Sequence, residues 1–146
     1  MNYVDTVSYA SILGGRINSA AGYGVVVGGG THNTASGSES VIMGGYYNRI
    51  TAAHSSIAGG QYNTVSSADS VAIGSHAIAR NKSSGVFNFQ IGTGCTSAGP
   101  GTMTVCVDNG FIVNDQNIGG SLNQQAMTLT LLQSDLTILN SSMYTN

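Results

Sequence analysis

The sequence predicts an all-β fold, a parallel β-solenoid of five 15-residue turns. Three observations predict it. Pairs of glycine begin at positions 14, 29, 44 and 59, an asparagine follows the pairs at a fixed distance, and a short apolar run precedes each pair. Columns that stay in phase over several turns indicate one structural unit repeated in tandem.

Glycine is expected where each strand ends in a sharp turn, because glycine alone adopts a positive φ without steric cost. Asparagine tolerates such geometry and can form a ladder of stacked amides. The fifth turn keeps Gly74, replaces the second glycine with Ser75 and breaks the asparagine column at Ile78. The predicted structural turn residues are Gly14, Gly15, Gly29, Gly30, Gly44, Gly45, Gly59, Gly60 and Gly74, with Asn18, Asn33, Asn48 and Asn63.

The apolar runs predict strands of only three or four residues, rich in the β-branched side chains that strands favour. Such a strand cannot bury its own apolar face. Stacking successive turns at about 4.8 Å pairs the backbone N–H and C=O groups of each turn with those of its neighbours. The small residues in the second half of each turn predict a narrow interior. The predicted strands are residues 11–13, 25–27, 41–43, 56–58 and 71–73.

The composition excludes several classes of partner. The 146 residues include 21 glycines, four basic and six acidic side chains, a net charge of −2, and 41% apolar residues. This balance predicts an ordered chain with thinly packed, small side chains. Because the basic residues are scattered, we expect no nucleic-acid partner. The segment from Met1 to Gly15 lacks the pattern of a signal peptide, and no membrane segment is expected.

Catalysis, cofactors and bound metals are not expected either. A cysteine nucleophile needs a neighbouring histidine base, yet the histidines lie in the solenoid, away from both cysteines. They are assigned to different columns of the repeat: His32, His54 and His76. Calcium-binding solenoids carry an acid in every turn, whereas Glu39 and Asp69 are the only acids of the array. We therefore predict a protein that is not an enzyme.

One column of the repeat carries large side chains and has two interpretations. The rings can pack within the roll or against a neighbour. Alternatively, Tyr46, Tyr47 and Tyr62 form an exposed stripe that binds a receptor or glycan, because tyrosine offers rigid contact area at low entropic cost. The column three residues after the first glycine consists of Ile17, His32, Tyr47, Tyr62 and Ala77.

Beyond residue 84 the period is lost and the pattern predicts a β-hairpin. Alternating apolar residues at 86–91 and 103–107 would form its strands, with the Gly-Pro-Gly sequence at 99–101 as its turn. Folding about this turn places Cys95 opposite Cys106, where a cross-strand disulfide can form. A disulfide and two free thiols are both compatible with the sequence.

The C-terminal segment predicts a coiled-coil helix. Apolar residues recur seven apart and again three residues later, which gives an a/d seam over three heptads, with Gln125 at one d position. A lone amphipathic helix packed on its own domain is the alternative. The seam residues are Leu122, Leu129, Leu132, Leu136, Leu139 and Met143. The predicted segments are an N-terminal cap (1–9), a solenoid head (10–84), a hairpin neck (85–115) and a coiled coil (116–146).

Residues 70–79, SVAIGSHAIA, resemble the S-V-A-I-G-x-x-A-x-A head repeat of YadA-type trimeric autotransporter adhesins. The earlier G-G-x-x-N turns, such as residues 29–38, resemble a longer variant found in adhesin heads and in phage and large-virus fibre proteins. The resemblance covers residues 10–84. It implies a left-handed parallel β-roll, three copies of which form a homotrimeric head on a coiled-coil stalk.

The resemblance also implies attachment as the function. We expect a trimeric fibre or adhesin head at a bacterial surface or on a virion, bound to a host cell-surface protein or glycan. A purely architectural viral or phage component without receptor binding is the alternative. A threefold axis could also bring three copies of His54 or His76 around a metal or anion, although a solvated or stacked histidine is commoner.

Overall fold

The computed structural model describes residues 1–5, 9–108, 111–113 and 116–118, and it divides the chain into Met1–Cys106 and Val107–Asn146. The first unit is a parallel β-solenoid of about seven turns, made of two seven-stranded sheets. Its strands are β1 (Tyr3–Val4), β2 (Ser11–Ile12), β3 (Ser19–Ala20), β4 (Val26–Val27), β5 (Thr34–Ala35), β6 (Val41–Ile42), β7 (Arg49–Ile50), β8 (Ser56–Gln61), β9 (Thr64–Val65), β10 (Val71–Ser75), β11 (Ala77–Ala79), β12 (Gly85–Asn88), β13 (Cys95–Thr96) and β14 (Met103–Cys106).

Successive strands alternate between the two sheets. The odd-numbered strands form sheet 1 and the even-numbered strands form sheet 2, and neighbouring strands in both sheets are parallel. Sequence reasoning found the strands of sheet 2, whose apolar runs are plain. It missed most of sheet 1, where pairs such as Thr34–Ala35 offer only one small apolar residue.

The core is a thin layer between the two sheets. Alternation along each two-residue strand turns one side chain inward, and the inward side chains stack in columns along the solenoid. Sheet 1 contributes Ala20, Ala35, Ile50, Val65 and Ala79, and sheet 2 contributes Val27, Ile42, Ile57, Ala72 and Val86, all fully buried. Small and β-branched residues fill this space, as expected for a narrow interior.

Each turn has two corners, and each corner has a fixed position at which even a non-glycine residue adopts a positive φ. Every non-glycine residue with positive φ in the described part of the chain belongs to one of these two columns. The first corner, between sheet 2 and sheet 1, carries Ile17, His32, Tyr47, Tyr62 and His76, and the second carries Tyr9, Glu39, His54, Asp69 and Ser83, with Gly24 in the same column.

The conformations predicted for glycine and asparagine need correction. The second glycine of each pair has a positive φ, 80° at Gly15 and 82° at Gly30, whereas the first glycines Gly14 and Gly29 do not; Gly59, with a φ of 146°, is the exception. The left-handed residue at the corner is the one before each asparagine. The asparagine itself belongs to the stretch entering sheet 1, where its side chain turns inward.

The register of the fifth turn also differs from the prediction. Gly74 pairs with Gly60 rather than with Gly59, because the pairing shifts between Ala72 and Ile73. Ala58 is the extra residue on the β8 side of this irregularity. The next turn is one residue shorter than the predicted repeat, as Val71 pairs with Gly85.

The hairpin predicted for residues 86–107 does not form, and the predicted number of five turns is too small. Strand β12 pairs with β10 on one side and with β14 on the other, both in parallel. The period is hidden because residues 89–94 lengthen the first corner, so that the partner of Gly85 in the following turn is Met103. The Gly-Pro-Gly sequence at 99–101 lies at a second corner instead of at a hairpin turn.

In the second unit the backbone of residues 111–113 and 116–118 forms two antiparallel strands, β15 (Phe111–Val113) and β16 (Gln116–Ile118), with Ile112 opposite Asn117. Residues 116–118 are therefore a strand, where the start of a coiled coil was predicted. The seam residues from Leu122 to Met143 lie outside the described residues, and the coiled coil stays a prediction.

Candidate binding surface

The first corner is held by the buried asparagine column. The Nδ2 atom of Asn33 donates to the carbonyl oxygen of Gly29 in its own turn (2.8 Å) and to that of Gly45 in the next turn (3.0 Å). Its Oδ1 atom accepts from the backbone N–H of Asn48 (3.1 Å). Asn18, Asn48 and Asn63 repeat this pattern. The amides therefore bond to backbone groups and not to one another, which fixes the corner backbone from turn to turn.

Asparagines outside the predicted column close its two ends. The Oδ1 atom of Asn2 accepts from the backbone N–H of Asn18 (3.0 Å). At the other end the N–H of Ala77 donates to Asn63 Oδ1 (2.9 Å), and Asn88 donates to the carbonyl of Thr93 across the lengthened corner (2.7 Å). Neither Asn2 nor Asn88 was predicted, because each is displaced from the 15-residue register.

A stack of four rings runs along the outside of the first corner. We call it the ring ladder and define it as His32, Tyr47, Tyr62 and His76. Centroids of successive rings are 4.4, 5.6 and 5.0 Å apart, with interplanar angles of 5°, 11° and 21°. The register shift brings His76, and not Ala77, into this column. His32 and His76 therefore share a column, contrary to the sequence-based assignment.

Tyr46 stands beside the ring ladder. Its ring meets Tyr47 edge-on at 4.5 Å and Tyr62 edge-on at 5.6 Å. Tyr46, Tyr47 and Tyr62 are 40%, 44% and 42% exposed. Their hydroxyls make no hydrogen bond with any described residue. The structure thus combines features of both interpretations of these tyrosines, since the rings pack on one another and remain accessible to a ligand.

An open depression of about 510 Å³ lies beside the ring ladder on the outer face of sheet 1. The side of the depression is formed by Ile17 and three rings of the ladder, and its floor is the outward-facing column of the sheet. Met1 and Tyr3 line one end. The floor residues are Ser19, Thr34, Arg49 and Thr64.

Arg49 is the one strongly basic side chain of this floor. Among the described residues that line the depression, none is acidic. The ion pairs found in the described part of the chain all lie at the second corner, so the guanidinium of Arg49 takes part in none of them. Sequence reasoning did not single out Arg49, because its outward direction follows only from the strands of sheet 1.

At the second corner a buried serine column replaces the asparagines, and charged side chains lie outside it. The hydroxyl of Ser70 donates to the carbonyls of Ala68 and Asn81 (both 3.0 Å), and it is one of a buried column with Ser40, Ser55 and Ser84. Outside it, His54 lies 3.6 Å from Glu39 and 3.3 Å from Asp69. Lys82 lies 3.8 Å from the other oxygen of Asp69.

His54 and His76, the histidines considered for an axial site, thus have neighbours within the chain. His54 is flanked by carboxylates, and His76 stacks on Tyr62. Within the described ranges, no group of three or more histidine, cysteine, aspartate or glutamate side chains is arranged to hold a metal ion.

Cys95 and Cys106 form a disulfide, with their Cα atoms 6.0 Å apart. The cysteines were predicted to face each other across a hairpin. They lie instead in β13 of sheet 1 and β14 of sheet 2, so the bond joins the two sheets in the last turn of the first unit. Cys95 is buried and pairs with Ala77 in the column that the asparagines occupy earlier in the solenoid.

The outer face of sheet 2 is largely apolar. Val26, Val41 and Val71 occupy one outward column together with Ser11 and Ser56, and the three valines are only half-buried in a single chain. Leu13 and Met43 lie beside them in a neighbouring column and are 78% and 65% exposed. This face was not predicted, because sequence reasoning assigned the apolar runs to strands without distinguishing their two faces.

Comparison with known proteins finds no matching family model, no matching curated protein and no matching solved structure. None of the described residues belongs to a helix long and apolar enough to cross a membrane.

Proposed function

We propose that this protein is a non-enzymatic, homotrimeric fibre or adhesin head that attaches to a host cell-surface protein or glycan, outside the cell or on a virion. We also propose that its solenoid is a left-handed β-roll of the YadA type. The observation that carries the function is the half-exposed group of Tyr46, Tyr47 and Tyr62, whose hydroxyls have no partner among the described residues.

The rigidity of these tyrosines supports a role in binding. Each ring contacts its neighbours, and the backbone beneath is tied to the adjacent turns by the asparagine column. A side chain that is already ordered loses little conformational entropy when it contacts a partner. The ring ladder is therefore preorganised for recognition.

The outer face of sheet 2 supports self-association. Two adjacent outward columns, represented by Val41 and Met43, carry exposed or half-buried apolar side chains, with Ser11 and Ser56 in the first of them. Exposed apolar surface of this kind is characteristic of interfaces. Packing of three copies would remove it from water and leave the depression on sheet 1 facing outward. The heptads of residues 122–143 provide a second source of trimer stability.

An architectural role is the second candidate function, and the stacking of the rings favours it. Tyr47 has His32 on one face and Tyr62 on the other, so both faces already have partners. A ladder of this kind stabilises successive turns even without a ligand, since aromatic pairs contribute about 0.5–1.5 kcal/mol beyond their buried area. In this role the protein is a spacer in a viral or phage particle.

Two matched variants separate the two functions. Tyr47→Phe/Tyr62→Phe keeps the rings and removes the hydroxyls, whereas Tyr47→Ser/Tyr62→Ser removes the rings. Attachment predicts that the Phe variant loses cell binding while its Tm is unchanged. If it binds host cells as the wild type does and only the Ser variant changes, through a lower Tm, the ladder is architectural.

The proposed trimer is tested on the full chain by sedimentation velocity at micromolar concentration. A single species of three times the chain mass is expected. A monomer under these conditions would contradict the proposed trimer. The Val41→Ser/Met43→Ser variant, measured alongside, shows whether the apolar face of sheet 2 contributes to assembly.

A further inference from the structure

We infer that the depression beside the ring ladder binds a linear acidic polysaccharide, which lies along the solenoid axis with a sugar carboxylate on Arg49. This inference rests on the proposed attachment function and names the chemical class of the ligand. Three observations support it: the spacing of the turns, the hydroxyls on both sides of the depression that have no hydrogen-bond partner among the described residues, and the positive charge of the depression.

The spacing of the turns selects a sugar polymer over an extended peptide. Equivalent residues of successive turns are about 4.8 Å apart, and the rings and floor residues repeat at that interval. An equatorially 1,4-linked pyranose chain advances by a similar distance with each sugar, so each unit lies level with one turn. Successive units are turned over about the chain axis, so alternate units present the same edge to the columns. An extended peptide advances about 3.3 Å per residue and places side chains on one face at twice that interval, so it drifts out of step.

The hydroxyls of the depression provide the polar contacts that a sugar needs. Thr34 and Thr64 lie on the floor, two turns apart in one column, with Arg49 between them. Their hydroxyls, like those of Tyr47 and Tyr62, have no hydrogen-bond partner among the described residues. A hydroxyl both donates and accepts, which matches the hydroxyls of a saccharide. The ring faces are occupied by stacking, so the ladder offers its edges and hydroxyls.

The charge of the depression selects an acidic sugar. The chain has a net charge of −2, yet none of the described lining residues is acidic and Arg49 is outside every ion pair of that part of the structure. A guanidinium binds a carboxylate with two parallel N–H···O bonds, which are stronger than hydrogen bonds between neutral groups. One carboxylate at the level of Arg49 thus fixes the position of the polymer along the axis.

The test uses the full chain and two hexasaccharides of equal length. One is the neutral β-1,4-linked glucose hexamer, and the other is the same hexamer with each C6 oxidised to a carboxylate. Calorimetry at low salt is expected to show about fivefold tighter binding of the acidic hexamer, since one ion pair that is open to solvent contributes up to about that factor. This preference should weaken at higher salt because the site is open to solvent. In a series of acidic oligosaccharides of increasing length, affinity should rise from the disaccharide to the tetrasaccharide and then level off. The floor of the depression takes one residue from each of four turns, so it can contact about four sugars.

Two charge-matched variants localise the binding. Arg49→Gln should reduce the acidic-to-neutral affinity ratio to near one without changing Tm. Arg80→Gln removes an exposed arginine that does not line the depression, and it should leave the ratio unchanged.

Three outcomes overturn the inference: no binding of the acidic hexamer, equal binding of both hexamers by the wild type, or unchanged preference in Arg49→Gln. The proposed attachment function is judged separately. If the Tyr47→Phe/Tyr62→Phe variant loses cell binding while neither hexamer binds the wild type, the ladder recognises a ligand of another class, so the inference fails and attachment stands. If the wild type binds neither cells nor hexamers, both fail.

Discussion

The side-chain oxygen of Asn33 accepts a hydrogen bond from the backbone N–H of Asn48, one full turn away, at 3.1 Å. The amide nitrogen of Asn48 in turn donates to the carbonyls of Gly44 and Gly60, both at 3.0 Å. Each asparagine therefore satisfies backbone groups of its own turn and of the adjacent turns. A buried backbone group without a partner is costly, so this column decides whether successive corners can stack.

Replacing one asparagine of the column should destabilise the solenoid strongly. In Asn48→Ala, the carbonyl of Gly44 and the N–H of Asn63 lose their partner, and the carbonyl of Gly60 keeps only the backbone N–H of Tyr46. We expect the free energy of unfolding to fall by about 2–4 kcal/mol, because buried polar groups left without a partner cost about 1–3 kcal/mol each and water relieves some of them. Urea unfolding at one protein concentration measures the loss. Thr51→Ala, at an exposed position, should change stability by no more than about 0.5 kcal/mol. Equal effects of the two substitutions would show that the asparagine column does not stabilise the first corner.

The two glycines of a pair should respond oppositely to alanine. Gly45 has a φ of 99°, and a Cβ there would collide with the carbonyl oxygen of Gly60, whereas a Cβ on Gly44 would meet nothing within 4 Å. Gly45→Ala should cost about 2–3 kcal/mol, since a strained backbone conformation alone costs about 1–3 kcal/mol. Gly44→Ala should be neutral or stabilise by up to about 1 kcal/mol, because it restricts the unfolded chain.

Gly74→Ala then tests the register of the fifth turn. Gly74 has a φ of 111° and pairs with Gly60, so its substitution should cost as much as that of Gly45. The plain 15-residue alignment places it in the column of Gly44. A Gly74→Ala protein as stable as the wild type would support that alignment and contradict the shift. Thermal unfolding of the three variants side by side provides the comparison.

The register shift shows where prediction from the sequence reached its limit. Equal spacing located the corners from Gly14 to Gly60, because glycine and asparagine are needed there for backbone reasons that leave a visible pattern. Ala58 is a small residue in a run of small residues. Its side chain gives no sign in the sequence that it is left out of the pairing between β8 and β10. Beyond it the corner loop at 89–94 hides the period altogether, although the strands on both sides continue the same two sheets.

The binding surface was predictable only in part, for a related reason. Tyr47 and Tyr62 stand out in the sequence because large side chains in one column are conspicuous. Thr34 and Arg49 do not stand out, because their outward direction depends on strands of two residues whose partners lie a whole turn away. The sequence left undecided whether Cys95 and Cys106 form a disulfide. The hairpin that would have paired them requires antiparallel strands, which this part of the solenoid does not have.

Reduction of the disulfide should loosen the last turn of the solenoid first. The two cysteines are separated by 11 positions in sequence, and cross-links over loops of this size typically contribute about 2–4 kcal/mol. Cys95→Ala/Cys106→Ala should lower Tm, and dithiothreitol should lower the Tm of the wild type by a similar amount. Dithiothreitol should not change the double variant, which serves as the control.

Hydrogen exchange can locate this effect. Amides of β13 and β14 should lose protection in the double variant, while those of β4 and β6 near the other end keep theirs. A uniform loss across all turns would indicate that the solenoid unfolds as one cooperative unit, in which no turn can be loosened separately.

Ile17 is the position where a substitution should stabilise the fold. It has a φ of 58° and is 44% exposed at the first corner. A β-branched residue is strained in the left-handed region, at a cost of about 1–2 kcal/mol, whereas asparagine adopts this conformation readily. Ile17→Asn should therefore raise the free energy of unfolding by about 1 kcal/mol. Loss of the packing contacts of the partly buried isoleucine side chain reduces this gain.

Tyr47→Asn makes the corresponding change at the same corner two turns further along, within the ring ladder, where His32 stacks on Tyr47 at 4.4 Å. There the lost ring contacts should outweigh the relief of backbone strain, and the variant should be less stable than the wild type. Opposite signs for the two variants in urea unfolding would show that ring stacking maintains unfavourable backbone conformations along this edge. Destabilisation by both would mean that Ile17 contributes contacts outweighing its strain, and the column would then be determined by packing alone.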